Sequence, residues 1–337
     1  MKKFTIYFLF TVCTLMSCNF EDQSNQNGNL ILNSSFGNSG ESMLVNPTNF
    51  DTNKEDYIFV SDPGVSQIYQ FDLEGEFIRK IGNPGQGPEE FINQSVISFS
   101  EDKIHVQDQS NMRLHVIDTY GNFEKIIPQE DRAFVSFSKH KGNYIGFAPT
   151  SFLKSHGLEN ESLFKVFDSE WNLINEFGNY IIEPDNIPAG MSWPFFKISN
   201  NKIYSVFAYF PIMEVYDLKG SLEESYHLDK INDFEIDQRN LSEQTYSDMS
   251  NPQMNSVNRS IDVVENEIYV LRWDQSLTID KYVLEDESIR FENTFWYSET
   301  NENYYPLDFF FVENEELFYV LEINNEGVPQ VAVYSLV

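Results

Sequence analysis

Apolar and polar residues alternate along this chain in short bursts that are broken by turn formers. IHVQD (104–108) and LHVID (114–118) alternate with a period of two and are rich in β-branched and aromatic residues, with Gly, Asn, Asp or Ser on either side. Such segments predict short strands joined by tight hairpins.

The strands recur in a longer frame. YIFVSDPGVSQIYQFDLEGEFIRKIG from Tyr57 aligns with KIHVQDQSNMRLHVIDTYGNFEKII from Lys103, matching Asp62 to Asp108, Asp72 to Asp118 and Gly75 to Gly121. KIYSVF…MEVYDLKGSLEES repeats the frame at Asp217, LFKVFDSEWNLINEFG repeats it at Asp168, and two weaker copies begin at Glu267 and Glu316. The anchors Asp72, Asp118, Asp168, Asp217, Tyr282 and Tyr334 lie 46, 50, 49, 65 and 52 residues apart. A period near 50 with four strands per unit predicts an all-β fold, a six-bladed β-propeller with four antiparallel strands per blade, over residues 42–337. The 30 Phe and 18 Tyr supply the faces on which blades stack.

The glycine-rich IGNPGQGPEEF (81–91) falls between the outer strand of the first unit and the inner strand of the second, so it reads as a blade-to-blade crossing. A phosphate cradle needs consecutive N–H donors leading into a helix. Here Pro84 and Pro88 delete donors, and strand sequence follows.

YIFVSD…IYQFDLEGEFIRKIGNPGQGPEEF resembles the six-bladed, NHL-like β-propeller lipoproteins common in Bacteroidetes. The resemblance is strongest in the first two units, and the last two carry it only as strand pattern. It implies structural aspartates and no general activity. Members of that family often carry an acidic surface-export signal after the lipidated cysteine, and Glu21-Asp22 resembles a short version of one.

Lys2 and Lys3, an apolar run from Phe4 to Val12 and then Leu15-Met16-Ser17-Cys18 read as a signal peptide over residues 1–17 ending in a lipobox. Cys18 is the expected lipidation site, and residues 18–41 form a tether with a candidate ring-closing strand near 29–33. Several acyl chains on one cysteine exceed the two-signal threshold for stable anchoring. The expected location is the cell envelope, as an outer-membrane lipoprotein that is either periplasmic or surface-exposed. Cys13 leaves with the signal, so the mature part holds no disulfide.

The net charge of −31 becomes −33 once Lys2 and Lys3 are removed. Such a surface repels phosphates and excludes nucleic acid as a partner.

Crossings at 82–93, 127–133, 178–194, 229–259 and 297–306 share one face and are mostly longer than the hairpins opposite, so a site is expected there. They bring Trp193, Tyr246, Trp296, Tyr297, Tyr304 and Tyr305 toward the central entrance, beside Arg132, Arg259 and Asp308. Arg132, Trp193, Tyr246, Arg259, Tyr305 and Asp308 are the candidate binding residues, suited to a glycan, peptide or envelope protein. Each aromatic is as well suited to packing between blades.

No cofactor is expected. The alternative is a calcium-dependent hydrolase or lyase with its metal in the channel, which needs carboxylates converging on the axis. Asp62 and Asp108 read instead as turn caps, and the equivalent Phe207 and Arg272 break any ring of ligands. The five histidines show no metal-ligand spacing, no G-x-S-x-G elbow occurs, and no catalytic cysteine is present. A third reading is a structural subunit of an envelope complex.

Overall fold

The computed structural model describes residues 27–129, 134–147, 162–180, 192–228, 258–272, 276–286 and 288–337. Strand β1 is Asn27–Phe36. The first blade holds β2 (Asn49–Thr52), β3 (Tyr57–Asp62), β4 (Gln67–Asp72) and β5 (Phe77–Ile81). A short parallel pair, β6 (Asn83–Pro84) and β7 (Glu90–Phe91), lies in the crossing that follows. The second blade is β8 (Gln94–Ser100), β9 (Lys103–Asp108), β10 (Arg113–Asp118) and β11 (Phe123–Pro128). The third is β12 (Ser136–His140), β13 (Asn143–Phe147), β14 (Ser162–Phe167) and β15 (Leu173–Asn179), and the fourth is β16 (Pro194–Ser199), β17 (Lys202–Phe207), β18 (Phe210–Asp217) and β19 (Leu222–His227). The fifth is β20 (Asn258–Val264), β21 (Glu267–Arg272), β22 (Leu277–Glu285) and β23 (Ser288–Tyr297). The sixth holds β24 (Tyr305–Val312), β25 (Leu317–Ile323) and β26 (Pro329–Leu336) and takes β1 as its outermost strand.

Antiparallel pairing joins β1 to β26 from Leu30↔Leu336 to Phe36↔Val331, while Asn27–Asn29 run parallel to Thr294–Trp296 of β23. The last two blades therefore share one eight-stranded sheet.

Middle strands are covered on both faces by neighbouring blades, which explains why their sequences read as nearly continuous apolar runs. Ile58, Phe59 and Val60 are all fully buried. Outermost strands such as β19 alternate less and are mostly exposed. Six hydrophobic clusters fill the six seams between adjacent blades, including the seam between the sixth and the first, so the ring is closed. In the first seam Phe59 stacks on Phe99 with centroids 5.7 Å apart and rings 7° from parallel.

Hairpin chemistry recurs as the repeated aspartates require. The Asp118 carboxylate accepts from the N–H groups of Tyr120 and Asn122, and Gly121 turns with φ of 86°. Asp168 and Asp217 accept in the same way two and four residues on. In the third blade Trp171 occupies the glycine position, with φ of 69°. Its ring stacks on Phe167 at 4.6 Å and meets Phe134 edge-on at 5.1 Å.

Candidate functional site

Chain direction gives the ring two unlike faces. Innermost strands start at the face that receives the crossings and end at the face of short hairpins. The first residue of an inner strand can grip the blade behind it: Gln94 Nε2 donates to the carbonyls of Asp62 and Gln67, and Asn258 Nδ2 donates to those of Phe207 and Phe210. Immediately after each grip the register slips, leaving Ser95 and Arg259 as bulge residues, and Leu307 occupies the same place in β24. A bulge re-aims a side chain out of the ladder.

That bulge positions Arg259 at the crossing face. Its Nε donates to the Leu307 carbonyl at 3.2 Å, Nη1 donates to the Tyr305 hydroxyl at 3.1 Å, and the guanidinium lies 4.8 Å from the centre of the Tyr305 ring. Burial lowers the Arg259 pKa, with Tyr305 and Asp308 opposing the shift. Burial raises that of Tyr305 against the pull of Arg259. The structure thus brings Arg259, Tyr305 and Asp308 together from two adjacent blades.

Below this mouth the inner strands contribute two layers to the channel. Asn49, Ser260 and Asp308 are bonded in the upper layer: the Asp308 carboxylate accepts from Ser260 Oγ at 2.5 Å, its own neighbour Phe309 N–H at 2.9 Å and Asn49 Nδ2 at 3.3 Å. Burial pushes the Asp308 carboxyl up to about 6, and Ser260 and Lys197 restrain the rise.

In the lower layer Asp51, Ser98, Ser138, Lys197, Asp262 and Phe310 stand opposite the third residue of each second strand. Lys197 of the fourth blade reaches within 3.6 Å of Asp51 in the first, which is diametrically opposite in a ring of six, so its side chain crosses the axis. Burial alone would lower its pKa; Asp51, Asp262 and Asp308 outweigh that and hold the ammonium above its usual value. Asp262 is fully buried and accepts from Lys54 Nζ at 2.6 Å and Phe311 N–H at 2.9 Å. Lys54 and Lys197 overcome its burial and keep it below the ordinary carboxylate range.

A channel-bound calcium fits these residues poorly. The axial carboxylates face ammonium groups of the chain itself, and among the described residues no three His, Cys, Asp or Glu side chains are placed to share a metal. Asp62 and Asp108 are both fully buried. The Asp62 carboxylate accepts from the N–H groups of Val45, Asn46 and Gly64, and Asp108 from those of Ile92 and Asn93, so each ties the segment entering an inner strand to the turn behind it. The glycine-rich crossing holds its own carboxylate: Gly87 N–H donates to Glu90 at 2.7 Å, and Arg113 donates to the carbonyls of Gln86, Gly87 and Glu90.

Other sequence candidates lie elsewhere. Trp193 meets Phe147 edge-on at 5.7 Å and joins the core between the third and fourth blades. Tyr304 is buried and donates to Glu322 at 2.8 Å. Tyr297 packs on Tyr334 and donates to Glu299, and Trp296 pairs in register with Asn29 of β1. Cys18, Arg132 and Tyr246 lie outside the described residues. Lys54, Asp51, Lys197 and Asp262 escape a reading of the sequence because nothing local marks them; aligning the six inner strands on their hairpins would have set Asp51, Lys197 and Asp262 in one layer.

A family model for DUF5128, described as a 6-bladed beta-propeller, matches residues 41–271. No curated protein matches the chain. Among solved structures the chain is similar to a protein from Bacteroides fragilis described as exported, at 16% identity and TM-score 0.59, covering 91% of this chain and 95% of that one. It is similar to a member of the duf4221 family from Bacteroides vulgatus, at 13% identity and TM-score 0.59, covering 92% and 98%. A third similarity, at 11% identity and TM-score 0.56 over 91% and 100%, is to virginiamycin B lyase from Staphylococcus aureus, solved with quinupristin. At these identities the likeness is one of fold.

Proposed function

Because the chain belongs to the DUF5128 family of 6-bladed beta-propellers, we propose that it works as an extracytoplasmic binding protein, held to the membrane through Cys18, that recognises a glycan, peptide or partner protein at the mouth of its channel on the crossing face. The observation that carries this reading is the Arg259–Tyr305 unit. A guanidinium fixed by the Leu307 carbonyl and laid against a half-buried aromatic ring forms a preset cationic and aromatic surface at the mouth. Such preorganisation lowers the ordering cost of binding. Similarity to an exported Bacteroides propeller supports the extracytoplasmic setting.

The catalytic alternative draws less support, because the axial carboxylates lie beside Lys54 and Lys197. Glycan and peptide arrays probed with the full-length chain in detergent test the proposal. Arg259→Ala, alone or with Arg132→Ala, should weaken the captured class about tenfold or more, the effect of losing ~1.4 kcal/mol. Unchanged affinity in the double variant overturns the assignment.

A further inference from the structure

Far from the mouth, on the hairpin face, a cleft opens between the fourth and fifth blades. Its volume is about 580 Å³, within the range of small-ligand sites. Walls come from the starts of β17 and β19 and from the β20–β21 and β22–β23 turns. Tyr226 supplies aromatic surface, Tyr204 lies at the floor, and Glu224 and Asp286 stand at the rim. Lys202, the one cation of the lining among the described residues, is bonded at 2.8 Å to Glu223.

Two observations set this cleft apart from ordinary acidic surface. Tyr204 is 4% exposed, yet its hydroxyl makes no hydrogen bond to any described residue. Tyr204 lines the cleft together with Lys202 and Glu223. No described residue occupies the hydrogen-bonding positions of this hydroxyl, which leaves them to whatever fills the cleft. Glu224 and Asp286, for their part, have no ion pair among the described residues.

We propose that this cleft binds an alkylammonium group, with the methylene chain against the Tyr226 ring, the N–H donors on Glu224 and Asp286, and the Tyr204 hydroxyl as a further partner. Aromatic walls with carboxylates suit an ammonium because ring faces and anions both attract it, whereas the same lining repels carboxylate and phosphate. The ammonium could belong to a free linear amine or to a lysine side chain of another protein.

Calorimetric titration of the full-length chain in detergent, in about 0.15 M salt to screen exposed charge, decides the matter. Spermidine, pentane-1,5-diamine and Nα-acetyl-lysine methylamide are the probes, with pentane-1,5-diol and Nα,Nε-diacetyl-lysine methylamide as neutral counterparts. Saturable binding of one equivalent is expected, absent for the neutral compounds. It should weaken about tenfold in Glu224→Gln/Asp286→Asn and roughly threefold in Tyr204→Phe, and stay unchanged in Glu74→Gln/Glu302→Gln, which removes two carboxylates elsewhere. Preference for the lysine derivative assigns a protein partner, and preference for the amines assigns a free polyamine. Equal binding of the neutral compounds, equal loss in the distant variant, or no saturation by about 10 mM overturns the proposal. A circular-dichroism melt of each variant confirms that the ring is intact.

Discussion

Replacing Lys197 by methionine removes the ammonium that crosses the channel while keeping a side chain of similar length. Asp51 lies 3.6 Å from that ammonium, and Asp262 and Asp308 also act on it. At an effective dielectric near 20, one such contact contributes ~4 kcal/mol. With 36% of the lysine side chain open to water, screening reduces this to about 2 kcal/mol. The pH dependence follows from two groups of opposite sign. Asp308 titrates at about 6 in the fold, above its ordinary ~3.9, so its contribution is complete below pH ~4 and is lost as pH rises through about 6. Lys197 restrains that loss, so without it the loss deepens and extends to higher pH. Asp262, held below its ordinary value partly by Lys197, contributes stability above pH ~4 that is lost on acidification. Both effects make the Lys197→Met deficit smaller near pH 4 than near pH 8, where it reaches about 2–3 kcal/mol. Urea unfolding followed by tryptophan fluorescence at the two pH values measures it, with Lys197→Arg as the charge-retaining control. A deficit equal at both pH values, or larger in acid, refutes the electrostatic account of the axial layer.

Asp62→Ala should cost roughly 3–4 kcal/mol in the same assay, because three N–H groups lose a buried anionic acceptor; a calcium-dependent melting shift seen in the parent and lost in the variant would instead mark Asp62 as a metal ligand. Trp171→Gly relieves a positive φ worth about 1 kcal/mol, yet gives up the Phe167 and Phe134 contacts, a loss of about 3–4 kcal/mol. The net expectation is a destabilisation of about 2–3 kcal/mol, and a variant more stable than the parent would show that backbone strain dominates.

Blade type was legible because both of its determinants are local. Period-two alternation marks the strands, and an aspartate followed three residues later by glycine marks the outer hairpins at Asp72, Asp118 and Asp217. In the weaker copies what persists is the buried position one residue earlier: Tyr282 pairs with Ile268 and Tyr334 with Phe318 just as Phe71 pairs with Ile58. Packing between blades demands a large apolar residue there, Ile117 in the second blade, whereas the turn residue can vary. The axial layer was not legible, since Asp51, Lys197 and Asp262 are far apart in sequence and share only a register within their hairpins. Trp193 shows the opposite difficulty: a large aromatic beside an inner strand can face a ligand or the next blade, and here it meets Phe147.

The strand that completes the ring also imposes an order of events. Asn33 of β1 and Ser335 of β26 bond across 302 residues, so the first of the described strands is among the last to find its partner. At roughly 5–20 residues per second, synthesis alone leaves β1 waiting roughly 15–60 s. During that wait an unpaired strand can recruit the wrong neighbour. NGNLILNSSF meets the hazard with composition: only Leu30, Ile31, Leu32 and Phe36 are apolar, set among asparagines, serines and a glycine. The polar residues of this closing strand lower its tendency to pair wrongly before the sixth blade is present.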